Sequence, residues 1–383
     1  MDREVGIGVI GMGWMGRVHS AAYRRLPEHF PDLGVRPRLL VAADVSEHRR
    51  AHAERVGFER TTDDWRAVID DPAVEVVNVT LPNAMHREVA TAALEAGKHV
   101  WVEKPVGLGL DDTAAVAEAA RAAPGVTGVG FCYRFAPAIQ HARDLIAQGA
   151  IGEVNHYRAV FLADYANRPD AAASWRFQRA AAGSGALGDL MAHVVDLTHN
   201  LVGPIARLSG RTATLIPQRP RQTGEGTHFS RVASDDLVDV ENEDWAAAMI
   251  EFEGGRNGSL EASRVAVGPR TGLRVEILGS AGALSWSFER MNELRRFELS
   301  DDGDEGYTTI QVGPSHPDYA AFQPGAGVPM GYDDLRVLEA RNFLASVRDG
   351  EQRQPGVEEM LAAARVLSAI ERSEISRAWE EAR

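Results

Sequence analysis

Hydrophobic residues follow two different rhythms along this chain. Over the first third, short and nearly continuous apolar runs alternate with segments of helical spacing. The runs are "VGIGVI" (5–10), "RLLVAAD" (38–44), "VEVVNVTLP" (74–82), "HVWVEKP" (99–105) and "VTGVGFCYRFAP" (126–137). Strands buried on both faces read this way, as in a parallel sheet. Between them, "RVHSAAYRRL", "DVSEHRRAHAERVG", "TTDDWRAVIDDP", "NAMHREVATAALEAGK", "DDTAAVAEAARAAPG" and "IQHARDLIAQGAIGEV" predict helices. From about residue 153 apolar and polar positions alternate instead, in "VNHYRAVFLADY", "WAAAMIEFEGG", "NGSLEASRVAV", "GLRVEILGSAGALSWSF" and "RRFELSD". That is the pattern of half-buried antiparallel strands. The expectation is an α/β protein: an N-terminal parallel sheet over 1–134, then an α+β domain over 135–383 with an open, mostly antiparallel sheet. The C-terminal helices are free to pack back on the first domain. Two long irregular segments, roughly 217–237 and 301–332, are expected to be functional, since such loops are uncommon in compact domains.

The first apolar run leads into "GMGWMG", Gly11–Gly16, a G-x-G-x-x-G pattern between strand and helix. In a Rossmann unit Gly11 makes the tight turn, Gly13 lets the backbone approach a pyrophosphate, and Gly16 lets helix pack on strand. Trp14 and Met15 complete the turn, whose helix N-terminus faces the phosphates. A plain glycine-rich turn has the same pattern. Asp44 ends the next strand, where an acid would accept from ribose hydroxyls and repel a 2′-phosphate, so NAD is expected over NADP. It stands 33 residues past Gly11, more than the usual ~20; the surplus is assigned to a loop, "LPEHFPDLGVRPR". Arg49 and Arg50 nearby could instead hold a phosphate, and Asp44 could be only a helix N-terminal acid. Gly11, Asp44, Thr80 and Glu103 fall on one edge of the parallel sheet, the edge where ligands bind.

Composition sharpens this reading at one position. Of 41 basic residues only Lys98 and Lys104 are lysine. Lys98, beside Gly97, reads as a helix C-terminal cation. Lys104 sits on the ligand-binding edge, where an ammonium offers a compact charge with a movable pKa that a guanidinium lacks. The chain has 383 residues, 44% apolar and 25% charged, with 41 basic against 55 acidic groups and a formal net charge of −14. This length implies two domains, and the charge disfavours nucleic acid and anionic membrane as partners. A single cysteine, Cys132, precludes an intrachain disulfide and fits a cytoplasmic address. No signal peptide or membrane span is read.

In the second domain a glycine cluster leads into a helix beginning near Leu187, with Asp189, His193 and Asp196 at i, i+4 and i+7 on one face. A carboxylate one turn from an imidazole suits acid–base work near neutral pH. A metal site adding His199, a solvated face and a core histidine are the alternatives; no metal is expected, because H-E-x-x-H and a cysteine ligand set are both lacking.

Taken together, "GIGVIGMGWMGRVHS", "TLPNAMH", "AGKHVWVEKP", "GFCYRFAP", "GAIGEV" and "GSGALGDLMAHVVDL" resemble the Gfo/Idh/MocA family of glucose–fructose oxidoreductase and inositol dehydrogenase, over nearly the whole chain. "SWRFQRAAAGSGALGD" and "VGPSHP" are similar to its levoglucosan dehydrogenase-like members. Two departures stand out: Ala163-Asp164-Tyr165 where those members carry Gln-Asp-Trp, and Cys132 where many carry Asn before the Tyr-Arg pair. The resemblance implies catalytic Lys104, Asp189 and His193. Pro82, Asn83 and His86 would line the cofactor, with Glu103 and Lys104 bordering the nicotinamide. Tyr133, Arg134, Asp164, Tyr165, Arg176 and His316 are the expected sugar-pocket residues. The implied activity is hydride transfer between NAD and a secondary hydroxyl of a sugar, anhydrosugar or cyclitol, in a homodimer or homotetramer. A glycoside hydrolase that uses bound NAD, and a non-catalytic nicotinamide-binding regulator, are the alternatives.

Overall fold

A computed structural model describes residues 2–222, 231–232, 234–301, 303 and 305–383. The chain forms two compact units, Met1–Cys132 with Gly331–Leu361, and Tyr133–Met330 with Ala362–Arg383. The first break lies two residues before the expected boundary.

The first unit is built on six parallel strands: β1 (Arg3–Ile10), β2 (Val35–Ala43), β3 (Arg60–Thr62), β4 (Val76–Val79), β5 (His99–Val102) and β6 (Thr127–Val129), in the order β3-β2-β1-β4-β5-β6. All four side chains of β4 are buried, which is why its run carries no alternation. The connecting helices are α1 (Trp14–His29), α2 (Glu47–Arg55), α3 (Arg66–Ile69), α4 (His86–Glu95) and α5 (Leu110–Ala122). Gly11 has φ +96°, and a Cβ there would stand 2.7 Å from the Thr80 carbonyl oxygen. A Cβ on Gly16 would stand 2.0 Å from the Gly11 carbonyl oxygen, so glycine alone lets α1 start this close to β1.

Three expectations for this unit are corrected. The surplus before Asp44 is mostly not loop: α1 continues through Pro27 to His29, and β2 already begins at Val35. Thr61 and Thr62 belong to edge strand β3, where they pair with Ala42 and Ala43. Lys98 does not act on its own helix end; its ammonium reaches the carbonyls of Asp71 (2.9 Å) and Val74 (2.7 Å) in the turn before β4.

The second unit opens with α6 (Pro137–Ala147) and β7 (Val154–Ala163). After α7 (Arg179–Ala182) and α8 (Ala192–Leu201) come β8 (Ile205–Ala213), β9 (Gln218–Pro220), β10 (Leu237–Asp239), β11 (Trp245–Phe252) and β12 (Asn257–Ser263). Next are β13 (Thr271–Gly279), β14 (Gly282–Ser287), β15 (Glu293–Glu298) and β16 (Tyr307–Gln311). The chain ends with α9 (Tyr332–Asp349), which packs on α1 in the first unit, then α10 (Val357–Ser376) and β17 (Glu380–Glu381). Nine of these strands form one sheet in the order β16-β15-β14-β13-β7-β12-β11-β8-β17. Only the β7–β12 pair is parallel; the alternating sequence pattern therefore produced the mostly antiparallel sheet it predicts.

The two long irregular segments are shorter than expected. The first contains β9 and the start of β10, while 223–230 and 233 lie outside the described residues. The second contains edge strand β16, so the true connector is 312–331; 302 and 304 are likewise outside the described residues.

A buried ion pair locks the end of the β11–β12 hairpin. Arg264 Nε donates to Asp244 Oδ1 at 2.7 Å, with both side chains withdrawn from solvent. Asp244 Oδ2 accepts the backbone N–H groups of Leu215 and Ile216. Removing one partner strands the other as a buried charge, a loss of about 3–5 kcal/mol. Arg264→Ala is expected to lower the denaturant stability of the protein by that amount. A loss below about 1 kcal/mol, the range of an exposed pair, would refute the assignment.

Candidate active site

Each unit carries its own set of converging side chains. In the first, the C-terminal edge of the parallel sheet gathers Gly11–Gly16, Asp44, Thr80–His86 and Glu103–Lys104. The α1 N-terminus has Gly13 as its cap, with no side-chain hydrogen bond filling it, and a Cβ on Gly13 would meet no atom within 4 Å. Gly13 thus faces open space where its neighbours Gly11 and Gly16 face backbone. That is the geometry a pyrophosphate needs to reach the helix amides. Trp14 is 57% exposed beside this turn and stacks on Tyr332, ring centroids 6.1 Å apart. Thr80 Oγ1 donates to the Gly11 carbonyl at 2.5 Å and ties β4 to the turn.

Asp44 is 7% exposed. Its Oδ2 accepts the Met12 N–H at 2.8 Å and its Oδ1 the Ser46 N–H at 2.9 Å. The two nearby arginines are both turned toward it. Arg49 Nη1 stands 3.5 Å from the carboxylate, and Arg50 Nη1 donates to the carbonyls of Asp44 (2.7 Å) and Val45 (3.1 Å). Neither is placed as an independent phosphate clamp.

Below Lys104 lies a buried carboxylate. Glu103 Oε1 accepts from His19 Nε2 at 2.9 Å and from Arg336 Nη1 at 3.0 Å. Asn78 Nδ2 donates to His19 Nδ1 at 2.9 Å, so the proton of the neutral ring sits on Nε2, facing Glu103. Burial pushes the Glu103 pKa up, but the Arg336 charge and the His19 hydrogen bond overcome it and hold the carboxyl well below its usual range. Burial likewise holds the His19 imidazole below its usual pKa against the pull of Glu103. Lys104 N–H points to Glu103 Oε2 at 3.3 Å. His86 is fully enclosed, with Nδ1 2.7 Å from the Pro105 carbonyl and Nε2 2.8 Å from the Leu81 carbonyl. Both side chains bind protein groups and brace the loops that carry Lys104, Pro82 and Asn83.

In the second unit, Asp189 sits on a π-helical turn, Leu187–Met191, that runs directly into α8. Such turns recur at functional sites, where they redirect side chains. Glu243 Oε1 accepts the N–H groups of Gly185 (2.7 Å) and Leu187 (2.9 Å) and fixes where this turn begins. A Cβ on Gly185 would stand 2.1 Å from the Glu243 carbonyl oxygen, which accounts for the glycine cluster. Tyr165 OH donates to Asp189 Oδ2 at 2.5 Å. His193 is 6% exposed and lies edge-on to Tyr133, centroids 4.8 Å apart, with Phe161 at 6.2 Å.

Of the three residues expected on one helix face, Asp189 lies on the π turn and His193 and Asp196 lie on α8. Asp196 is buried against Arg134, whose Nε and Nη2 both reach its carboxylate. Arg134 is thereby tied to α8. Asp164 pairs with exposed Arg270 at 2.5 Å. The Arg176 guanidinium lies over the Trp175 ring at 4.5 Å. His316 stands edge-on to His141 at 4.7 Å, and its Nδ1 accepts the Gly313 N–H. Three functional supports escaped the sequence reading: Asn78, Arg336 and Glu243. Arg336 lies 233 positions from Glu103 and carries no local signal.

The model described as "Oxidoreductase family, NAD-binding Rossmann fold" matches residues 5–131, and that described as "GFO/IDH/MocA C-terminal domain" matches 139–285. The chain belongs to the Gfo/Idh/MocA family. It is 36% identical, over 98% of both chains, to a levoglucosan dehydrogenase of Pseudarthrobacter phenanthrenivorans. It is 28% identical, over 74% of both, to scyllo-inositol 2-dehydrogenase (NAD(+)) of Bacillus subtilis. A solved levoglucosan dehydrogenase in complex with NADH and levoglucosan superposes with TM-score 0.93 at 35% identity, covering 99% of this chain and 100% of that one.

The depressed Glu103 pKa has a pH consequence. A carboxyl with a lowered folded pKa stabilises the fold above its unfolded value, near 4.5, and that stabilisation is lost as pH falls toward the folded value. Stability measured by denaturant midpoint is expected to fall below about pH 4.5, and to fall less steeply in Glu103→Gln. Equal slopes in the two proteins would show that Glu103 does not couple to folding.

Proposed function

We propose that this protein is an NAD-dependent dehydrogenase that removes hydride from a secondary hydroxyl of a sugar, anhydrosugar or cyclitol. The observation that carries this reading is the full-length likeness to a levoglucosan dehydrogenase solved with NADH and levoglucosan. The dehydrogenase relatives give no support to the NAD-using hydrolase or the non-catalytic regulator.

The residues present fit a dinucleotide. Gly13 and the uncapped α1 N-terminus would hold the pyrophosphate, and the Asp44 carboxylate would accept from the ribose hydroxyls. When bound, the nicotinamide accepts the hydride. His193 takes the proton of the reacting hydroxyl, positioned proton transfer being worth about 10²–10⁴-fold. The Lys104 ammonium donates to the developing alkoxide, and Asp189 accepts from a neighbouring hydroxyl. Tyr133 holds the His193 ring. The chain is read as cytoplasmic and as a homodimer or homotetramer, which mass in solution checks. Among the described residues no helix is long and apolar enough to cross a membrane.

Two outcomes test the assignment. A screen over pyranoses, 1,6-anhydrosugars and inositols is expected to reduce NAD in preference to NADP, and Asp44→Ser is expected to narrow that preference. Equal use of both by the wild type would overturn the role of Asp44. Lys104→Arg keeps a charge but brings a wider planar fork. Its kcat is expected to fall about 10²–10³-fold, the cost of one preorganised donor, with NAD affinity nearly unchanged. Near-wild-type turnover would remove Lys104 from the mechanism.

A further inference from the structure

Tyr165 occupies an unusual place in the second unit. It follows β7, and its phenol reaches Asp189 Oδ2 at 2.5 Å. That length is typical of a hydroxyl donating to an ionised carboxylate. Burial, and then the Asp189 charge, raise the Tyr165 pKa well above its usual value, so the phenol keeps the proton it donates.

The segment holding Tyr165 is itself braced. Arg219 donates to the carbonyls of Ala166 and Arg168, and the Ala166 N–H reaches the Arg264 carbonyl at 3.0 Å. The guanidinium groups of Arg219 and Arg264 lie over the Phe177 ring at 4.4 and 4.5 Å. Tyr165 packs against a small core of Ala166, Phe177 and Val240. A braced loop therefore presents one hydroxyl to one carboxylate oxygen, while Glu243 fixes the turn that carries the same carboxylate.

We infer that Tyr165 is a positioning residue for Asp189, holding the carboxylate in the rotation that accepts a sugar hydroxyl and so setting which sugars bind productively. The inference rests on the dehydrogenase reading and on the sugar-binding role of Asp189 within it. A carboxylate can rotate about its Cβ–Cγ bond; a charge-assisted hydrogen bond to Oδ2 removes that freedom before the sugar arrives. Tyr165 thus works through Asp189 and makes no contact with the reacting atoms.

A double-mutant cycle on the full-length protein separates this from a direct sugar contact. Wild type, Tyr165→Phe, Asp189→Asn and the double variant are assayed with NAD and the best sugar found. Tyr165→Phe is expected to raise KM about tenfold, the loss of one hydrogen bond to a charged group, with kcat within about threefold. The double variant is expected to be no slower than Asp189→Asn alone, because Tyr165 has nothing left to position. NAD affinity, measured by quenching of tryptophan fluorescence, should match wild type in all four. Tyr165→Trp, which keeps a ring and one N–H donor, should recover part of the lost KM and serves if Tyr165→Phe does not fold. Additive losses in the cycle overturn the inference, as does a Tyr165→Phe enzyme with wild-type KM. A wild type that oxidises no sugar, anhydrosugar or cyclitol overturns the dehydrogenase reading and this inference with it; a silent Tyr165→Phe beside an impaired Asp189→Asn overturns only the inference.

Discussion

The first unit depends on one buried carboxylate. Glu103 ends β5 with almost no solvent contact, a placement that costs several kcal/mol for an ion left alone. It is compensated by His19 from α1 and Arg336 from α9, which reach the same oxygen from opposite ends of the chain. Arg336 divides its donors further, to Glu339 (2.7 Å) and to the Tyr332 hydroxyl, as only a planar guanidinium with five N–H groups can. Because the members share partners, the network works as a unit: α9 completes the parallel-sheet unit although it lies some two hundred residues downstream in sequence. Lys104 inherits its position from this arrangement, since its own N–H faces the other oxygen of the Glu103 carboxylate.

The second unit applies the same device to a different task. Its strands are well paired, but the residues with chemistry to offer lie in the segments between them. Buried charges order those segments: Glu243 over the π-helical turn, Asp244 with Arg264 at the strand ends, and Arg134 with Asp196 inside α8. Burial of this kind stabilises little by itself but rejects other arrangements of the loop, because any displacement strands a charge. The turn that carries Asp189 and the helix that carries His193 are fixed in this way.

How much of this was legible in the sequence follows from range. The parallel strands, their order of appearance and the glycine turn are local features, written in periodicities of a few residues. So are Asp44 and Lys104, which a strand end places on a known edge. Short edge strands were lost: β3 has three residues, and β16 is exposed along nearly its whole length, so neither carries an apolar signal. The face expected for Asp189, His193 and Asp196 was drawn on an ideal helix; the π turn that carries Asp189 and the Arg134 partner of Asp196 have no local signal. The protein partners of His86 and Glu103 were not legible. A sequence shows which residues reach a place; it does not show that two carbonyls or an arginine from 233 positions away will claim them.

The scarcity of lysine now has a physical account. Where this chain uses a cation structurally, it uses the fork of arginine: against Glu103, Asp196, Asp244 and Asp334 the donors are guanidinium nitrogens. Carboxylates present two oxygens in a plane, and a fork matches them. The two lysines stand where the partner has a different shape. Lys98 reaches two carbonyl oxygens of one turn, single points that a compact ammonium can bridge. Lys104 stands on the ligand edge, where the proposed partner is again a single oxygen, the alkoxide of a sugar. A point charge on a flexible stem suits both.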